Sequence, residues 1–182
     1  MEAFSHTIRA ATVADAPALA TLAETTFRET FGLVNTSEDM DVYCRRSYSE
    51  AIQASEITNK ATITLVVDSQ GCLVGYAQLR LAAPAPRCVP GMTRGEIHRI
   101  YVTGEYHGKG VAQALMDSSI SALRQRGCSI AWLGVWEKNP RAISFYRKLG
   151  FVEVGEHVFQ LGTDSQRDIV MLLPLDASGD IT

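Results

Sequence analysis

Two glycines and a lysine stand together where a strand-like segment passes into a helix-like segment, at His107-Gly108-Lys109-Gly110. The first N–H groups of a helix have no partner inside the helix, and the helix dipole adds partial positive charge at the same place. Glycine lets a phosphate approach the backbone without striking a Cβ, and Lys109 adds a full positive charge. The stretch therefore predicts a cradle for a phosphate or pyrophosphate, with a plain structural turn as the alternative.

Two common phosphate-binding patterns do not fit this stretch. A P-loop needs G-x-x-x-x-G-K-[ST], and here Val111 follows Gly110. A dinucleotide-binding turn needs G-x-G-x-x-G, and the position three after Gly110 is Gln113. The pattern therefore argues against both of these classes of nucleotide-binding protein.

The first half of the chain predicts a short strand over 6–12, then helices, then a hairpin. Thr12 and Asp15 form a T-x-x-D capping box that opens a helix, Gly32 ends this helix, and Ser37 is expected to cap the next one. Two β-rich runs separated by Ser-Gln-Gly follow, and this pattern is typical of a hairpin.

Strands and helices alternate in the second half. A strand over 96–102 precedes the glycine turn, a strand over 128–136 precedes Asn139, which is expected to cap a helix, and two more strands close the chain. This order predicts a mixed α/β sandwich around one sheet. We expect a single domain over 1–182, with a core at about 7–175 and a frayed C-terminal tail.

Composition indicates an ordinary globular protein: 46% of the residues are hydrophobic and 20% are charged. No apolar run reaches the roughly 20 residues that cross a bilayer, and the N-terminus lacks the pattern of a secretion signal. Four cysteines without metal-type spacing suggest reduced thiols and a cytoplasmic location. The net charge of -3 gives no general surface for nucleic acid.

A second motif follows the glycine turn, in the segment "WLGVWEKNPRAISFYRKLGFVEVG". Together with "IYVTGEYHGKGVAQAL", it resembles the GNAT superfamily of N-acetyltransferases, whose pattern is [QR]-x-x-G-x-[GA] followed by N-x-x-A-x-x-F-Y-x-x-x-G-F. The second part matches in full from Asn139 to Phe151, and the first departs at His107, where the family usually has Arg or Gln. Over roughly 7–175 the chain is most similar to the PaiA-type bacterial polyamine acetyltransferases.

The resemblance implies a mostly antiparallel central sheet flanked by helices, with a splayed slot for acetyl-CoA. Strand residues at the slot would pair with the pantetheine arm, N–H groups of the glycine turn would hold the pyrophosphate, and Asn139 would contact the pantetheine. Basic residues after Asn139 would face the adenosine phosphate. The cofactor-binding residues implied are Ile100, Tyr101, Val102, His107, Gly108, Lys109, Gly110, Val111, Ala112, Asn139, Arg141, Arg147 and Lys148.

The reaction implied is acyl transfer from a thioester to an amine. Tyr146 occupies the family's position for a proton donor to the CoA thiolate, and core packing is its alternative role. A primary amine has a pKa of about 10, so a proton must leave before attack. Glu96, His98 or a chain of water molecules would take this proton, and the N–H of Val102 would donate to the thioester oxygen.

The distribution of charge suggests an acceptor. The stretch 24–56 carries a balance of -4, whereas 98–148 carries +5 and would face the phosphates of CoA. The acidic stretch could attract a polyamine such as spermidine or spermine, another cationic amine, or only solvent. The substrate-binding residues expected are Phe27, Phe31, Glu38, Asp39 and Tyr43.

Alternatives to a small-molecule acetyltransferase remain open. A non-catalytic module that binds acyl-CoA and regulates a partner would keep the glycine turn and could lose Tyr146. Acetylation of a protein amine would need an open groove for a peptide. We expect no metal, no nucleic-acid partner and no membrane partner, and either a monomer or a homodimer.

Overall fold

The computed structural model describes residues 6–91 and 93–175, so the predicted frayed tail lies outside the described residues. Seven strands form one sheet in the order β1-β2-β3-β4-β5-β7-β6. Neighbouring strands run antiparallel except β4 and β5, which are parallel. The strands are β1 (Thr7–Ala10), β2 (Thr62–Ser69), β3 (Cys72–Arg80), β4 (Arg94–Val102), β5 (Ile130–Trp136), β6 (Val152–Leu161) and β7 (Asp164–Pro174).

Helices cover both faces of this sheet. On one face α4 and α5 pack against residues such as Leu79, Ile97 and Leu133. On the other face α1 and α2 pack against Val66 and Tyr76. The sheet is therefore the middle of three layers, as the mixed α/β prediction requires. The helices are α1 (Ala16–Phe31), α2 (Ser37–Ser47), α3 (Glu50–Thr58), α4 (Val111–Gln125) and α5 (Pro140–Lys148).

The helix caps follow the sequence closely, with one shift. Asp15 accepts from the N–H of Thr12 at 2.7 Å, as the capping box predicts. The cap of α2 is Thr36 rather than the predicted Ser37, because Thr36 bonds Asp39 three residues on, through both the N–H and the carboxylate of Asp39. Ser37 has Met40 at the same spacing, and methionine cannot complete a capping box.

Candidate active site

An open slot lies between β4 and β5 in the half of the sheet next to the glycine turn. The two strands pair over 94–96 and 130–132, and among the described residues no pairing joins them beyond that point. On its other edge, β4 stays paired with β3 as far as Val102. From residue 97 onward, β4 therefore offers an unpaired backbone edge to a ligand in the slot.

A β-bulge marks the place where the slot opens. On β4, Arg99 pairs with Gln78 of β3 and Ile97 pairs with Leu79, so His98 is an extra residue. A bulge bends its strand and increases the local twist. The splayed slot that the resemblance implies is thus present, and its origin lies at His98.

The direction of the β4 backbone decides which residues face the slot. The N–H of Thr103 donates to the carbonyl of Val74 on β3 at 2.9 Å. Successive residues of a strand turn their backbone groups to opposite edges, so those of Ile100 and Val102 point into the slot. The backbone groups of Tyr101 point toward β3, and this residue reaches the cavity through its side chain.

The glycine turn has the conformation and the open space that an anion cradle needs. Gly108 and Gly110 have φ angles of 74° and 80°, in the left-handed region. A Cβ placed on either glycine would meet no protein atom within 4 Å. Packing inside the protein therefore does not require these glycines, whereas their left-handed backbone favours them and leaves the turn open to a ligand.

The N–H group at the first predicted position of the cradle is already used inside the protein. The N–H of His107 already donates to the carbonyl of Gly104 at 3.1 Å. Among the described residues, the first N–H bonded within α4 is that of Ala114, which donates to the carbonyl of Gly110 at 3.0 Å. The N–H groups that would form a cradle therefore lie between His107 and Ala114.

Slot and cradle open into one cavity of about 630 Å³. Of the predicted residues, its wall contains Phe31, His98, Ile100, Tyr101, Val102, His107, Gly108, Gly110, Ala112, Asn139, Arg141 and Tyr146. The predicted residues outside the wall are Phe27, Glu38, Asp39, Tyr43, Glu96, Lys109, Val111, Arg147 and Lys148. The wall also contains Glu29 of the acidic stretch, and residues that the sequence did not single out as site residues, among them Thr26, Thr30, Arg99, Gln113, Gly134 and Trp136.

Helix α5 brings two polar groups to the cavity. The side-chain oxygen of Asn139 caps the helix by accepting from the N–H of Ala142 at 3.1 Å, which leaves its amide NH₂ for a ligand carbonyl. Tyr146 lies two turns later and is 9% exposed. Burial raises the pKa of the Tyr146 phenol well above its usual value, so the phenol stays protonated at neutral pH. A protonated phenol in the wall can donate a hydrogen bond to a ligand atom in the slot.

The side chains near the turn have structural contacts of their own. Nε2 of His107 lies 2.8 Å from the carbonyl oxygen of Val102 and donates to it when protonated, which holds the end of β4. The ammonium of Lys109 lies over the Tyr106 ring, 5.2 Å from its centroid. Val111 is fully buried, so only its N–H can face the cradle.

Of the three basic residues after the cap, one lies on the cavity. Arg141 lines it and is exposed. The guanidinium of Arg147 pairs with the Glu153 carboxylate on β6. Lys148 is exposed at the end of α5, outside the cavity wall.

The two predicted bases touch each other. Nδ1 of His98 lies 3.2 Å from the Glu96 carboxylate, and His98 contributes to the cavity wall whereas Glu96 lies behind it. Burial lowers the pKa of His98, and the bond to Glu96 opposes this effect. His98 is therefore the member of the pair that reaches the cavity, with Glu96 bonded to its ring.

The predicted acceptor side is mostly used for packing. Phe27 and Tyr43 stack with their centroids 4.5 Å apart between α1 and α2. The Asp39 carboxylate accepts from the N–H and hydroxyl of Thr163 at 2.6 and 2.9 Å, which ties α2 to the β6–β7 turn. Phe31 meets the cavity, with its ring centroid 5.8 Å from that of Trp136.

A buried guanidinium lines the acceptor side of the cavity. Arg99 is 7% exposed and bonds Gln78 at 2.9 Å and Glu56 at 3.2 Å, both through Nη1. Its Nε has no hydrogen-bond partner among the described residues. The sequence placed Arg99 only in a count of charges, because its burial depends on strands and helices that are distant along the chain.

Comparisons with known proteins agree with this geometry. The model of the acetyltransferase (GNAT) family matches residues 22–151. An uncharacterized N-acetyltransferase of Lactobacillus delbrueckii subsp. lactis is 31% identical over 158 residues, covering 86% of this chain and 90% of that protein. An uncharacterized N-acetyltransferase of Mycobacterium tuberculosis (strain ATCC 25618 / H37Rv) is 33% identical over 162 residues, covering 88% and 98%.

A solved structure shows the same fold. The PaiA N-acetyltransferase from Thermoplasma acidophilum, in complex with coenzyme A, superposes with a TM-score of 0.76 at 22% identity. The match covers 93% of this chain and 99% of that one.

Among the described residues, no helix is both long enough and apolar enough to span a bilayer.

The chain belongs to the acetyltransferase (GNAT) family and is an N-acetyltransferase. The acyl donor of this family is acetyl-CoA. The residues present fit it, because the glycine cradle is open where a Cβ would stand and the edge of β4 is unpaired where a pantetheine arm would lie.

Proposed function

We propose that this chain transfers an acetyl group from acetyl-CoA to a primary amine that enters the cavity from the side of α1. The carrying observation is the continuity of the cavity, in which the unpaired edge of β4, the glycine cradle and Tyr146 share one wall. A cofactor sensor would need the cradle but would not need a buried, protonated phenol at the slot.

In this proposal the chain's own residues bind, orient and move protons. The N–H groups of 108–113 hold the pyrophosphate, and the backbone of Ile100 and Val102 aligns the pantetheine arm. When bound, acetyl-CoA supplies the activated acetyl group. The N–H of Val102, which points into the slot, stabilises negative charge on the carbonyl oxygen. His98 with Glu96 takes the proton of the amine, and Tyr146 donates one to the leaving sulfur.

A polyamine remains a candidate acceptor, and its support comes from three residues in the cavity wall. Glu29 offers a carboxylate to an ammonium group, and Phe31 with Trp136 offers an apolar surface to methylenes. Other acids of the same stretch are engaged elsewhere. Arg28 bonds Glu24 at 2.8 Å and Asp41 at 2.7 Å, and Asp39 holds a turn.

A second candidate acceptor is favoured by Arg99. The positive charge of the Arg99 guanidinium in the cavity wall suits an amine that also carries a carboxylate or carbonyl oxygen, such as an amino acid or the end of a peptide. A polyamine has no such acceptor atom. The two candidates therefore make opposite demands on Arg99 and Glu29.

The test is CoA release from acetyl-CoA with a panel of amines: spermidine, spermine, a lysine peptide, a free amino acid and an aminoglycoside. Turnover of the first two, lost in Glu29→Gln but kept in Arg99→Gln, would support a polyamine. The reverse pattern would support the carboxylate-bearing amine. Tight binding of acetyl-CoA without turnover of any amine would contradict the proposal and favour the non-catalytic module. A cytoplasmic location and a monomeric or homodimeric state stay predictions.

A further inference from the structure

A histidine and an aspartate lie side by side on the hairpin of β6 and β7, outside the pairs already considered. His157 and Asp168 are directly opposite each other in the antiparallel register. Nε2 of His157 is 3.8 Å from the Asp168 carboxylate, and this nitrogen has no hydrogen-bond partner among the described residues. The Asp168 side chain is 12% exposed, whereas His157 is 33% exposed and reaches solvent.

Gly134 in the middle of β5 provides the space for this pair. A Cβ on Gly134 would lie 2.5 Å from Nε2 of His157 and 3.2 Å from the Asp168 carboxylate. Any other residue at this position would push into the pair. Gly134 also lines the cavity, so this residue lies between the cavity and the His157–Asp168 pair.

The predicted bases lie on the same face of the sheet. Ile97 packs against α4 and α5, so its neighbour Glu96 points to the opposite face, with His98 bonded to it. Val170 and Trp132 share a cluster on that opposite face, and Asp168 precedes Val170 by two residues on the same strand, so it faces the same way. The polar side chains on β4, β7 and β6 therefore lie on one face of the sheet, and Gly134 of β5 lies between them. These side chains are Glu96, His98, Asp168 and His157.

The charged surroundings fit groups that exchange protons near neutrality. Burial lowers the pKa of His157, and the Glu96 charge opposes this effect. Burial also raises the pKa of Asp168 to about 6. Arg99 and Arg80 lower the pKa of His98 from the other side, and the loop above the hairpin brings the Cys88 thiol against Gly155.

We propose that His157 and Asp168 are positioning residues that carry the acceptor's proton from the Glu96–His98 pair to solvent across Gly134. The proposal rests on the function proposed above. An N–H bond of the ammonium breaks, its electron pair stays on nitrogen, and the proton goes to the Glu96–His98 pair. Water in the slot passes it to the pair of His157, whose Nε2 lies over Gly134, and Asp168, and the exposed ring of His157 releases it. One proton leaves for each acetyl group transferred, so no further reactant is needed.

The experiment measures kcat against pH for wild type, Asp168→Asn and His157→Gln, with an acceptor that the wild type turns over. Because Asp168 must be ionised to receive a proton, kcat of the wild type should fall below about pH 6. Asp168→Asn should lose this limb, and both variants should show a plateau lower by about 10-fold, with unchanged affinity for acetyl-CoA. Added imidazole should restore part of the rate by accepting the proton in place of His157 and Asp168.

The matched control is Glu156→Gln, beside His157 but exposed and paired with Arg167, and it should keep the wild-type profile. Wild-type plateau and acid limb in both folded variants, or reduced rates that imidazole does not raise, would overturn the proposal. Gly134→Ala gives an independent check, since its Cβ should displace His157 and mimic His157→Gln. Failure of the wild type to acetylate any amine would instead overturn the proposed function.

Discussion

Replacing Asp168 by Asn should stabilise the folded protein near neutral pH. The carboxylate is buried, and no hydrogen bond to it is found among the described residues, with the His157 ring 3.8 Å away. Burial without a close partner disfavours the charged form and raises the pKa from 3.8 to about 6. The amide of Asn has almost the same shape and cannot ionise, so the variant avoids this cost.

The magnitude and sign follow from proton linkage. A folded pKa above the unfolded pKa means that the wild type loses stability as the pH rises from about 4 to above 6, where the carboxylate ionises in both states. A shift of about two pKa units corresponds to about 3 kcal/mol of unfolding free energy. We expect Asp168→Asn to exceed the wild type by about 1.5 kcal/mol at pH 5 and about 3 kcal/mol at pH 8.

Urea unfolding monitored by circular dichroism at pH 5, 6, 7 and 8 would measure this difference. Groups other than Asp168 titrate in both proteins and cancel in the comparison. Glu156→Gln removes an exposed carboxylate on the neighbouring strand, and it should change the unfolding free energy by less than about 1 kcal/mol at every pH. A difference between Asp168→Asn and the wild type that is constant with pH, or that falls as the pH rises, would refute the reasoning.

Three further changes test the cradle, the phenol and the tie between α2 and the final hairpin. Gly110→Ala should weaken acetyl-CoA binding, measured by calorimetry, more than Gly127→Ala, which has a similar φ of 74° and equally open surroundings at the far end of α4. Equal affinities in the two variants would contradict the cradle. Tyr146→Phe should lower kcat by about 100-fold with little change in acetyl-CoA affinity, and wild-type turnover would remove the phenol from the mechanism. Asp39→Ala should lower Tm at pH 7, because three hydrogen bonds to the carboxylate are lost. Hydrogen bonding by Thr163 and Thr36 lowers the pKa of Asp39. The difference in Tm between wild type and variant should therefore vanish as the pH falls below 3.8. An unchanged Tm at pH 7 would show that the tie is not needed.

Local sequence was sufficient to predict the features that depend on interactions within a few residues. The cap at Asn139 uses neighbours within three residues, and the left-handed glycines of the cradle depend on the chain's own conformation. The same holds for the capping box of Thr12 and Asp15. These are short-range hydrogen bonds and steric limits, so their spacing along the chain is enough to predict them.

The acidic stretch shows where sequence reasoning stopped. A count of charges between 24 and 56 could not tell that Arg28 bonds both Glu24 and Asp41, or that Asp39 bonds Thr163, 124 residues further along. A count of charges treats acidic residues that are close in sequence as one surface. Their partners were decided by the packing of α1, α2 and the last hairpin.

The sequence by itself determined the order of the elements, the glycine cradle and the motif that ends at Phe151, because turns, caps and periodicity act over a few residues. The tertiary structure decided which polar groups meet at the cavity. The bulge at His98 opens the slot, and Gly134 leaves space that His157 and Asp168 fill from two other strands. Such contacts arise from strand pairing between distant segments, and the spacing of residues along the chain does not predict that pairing.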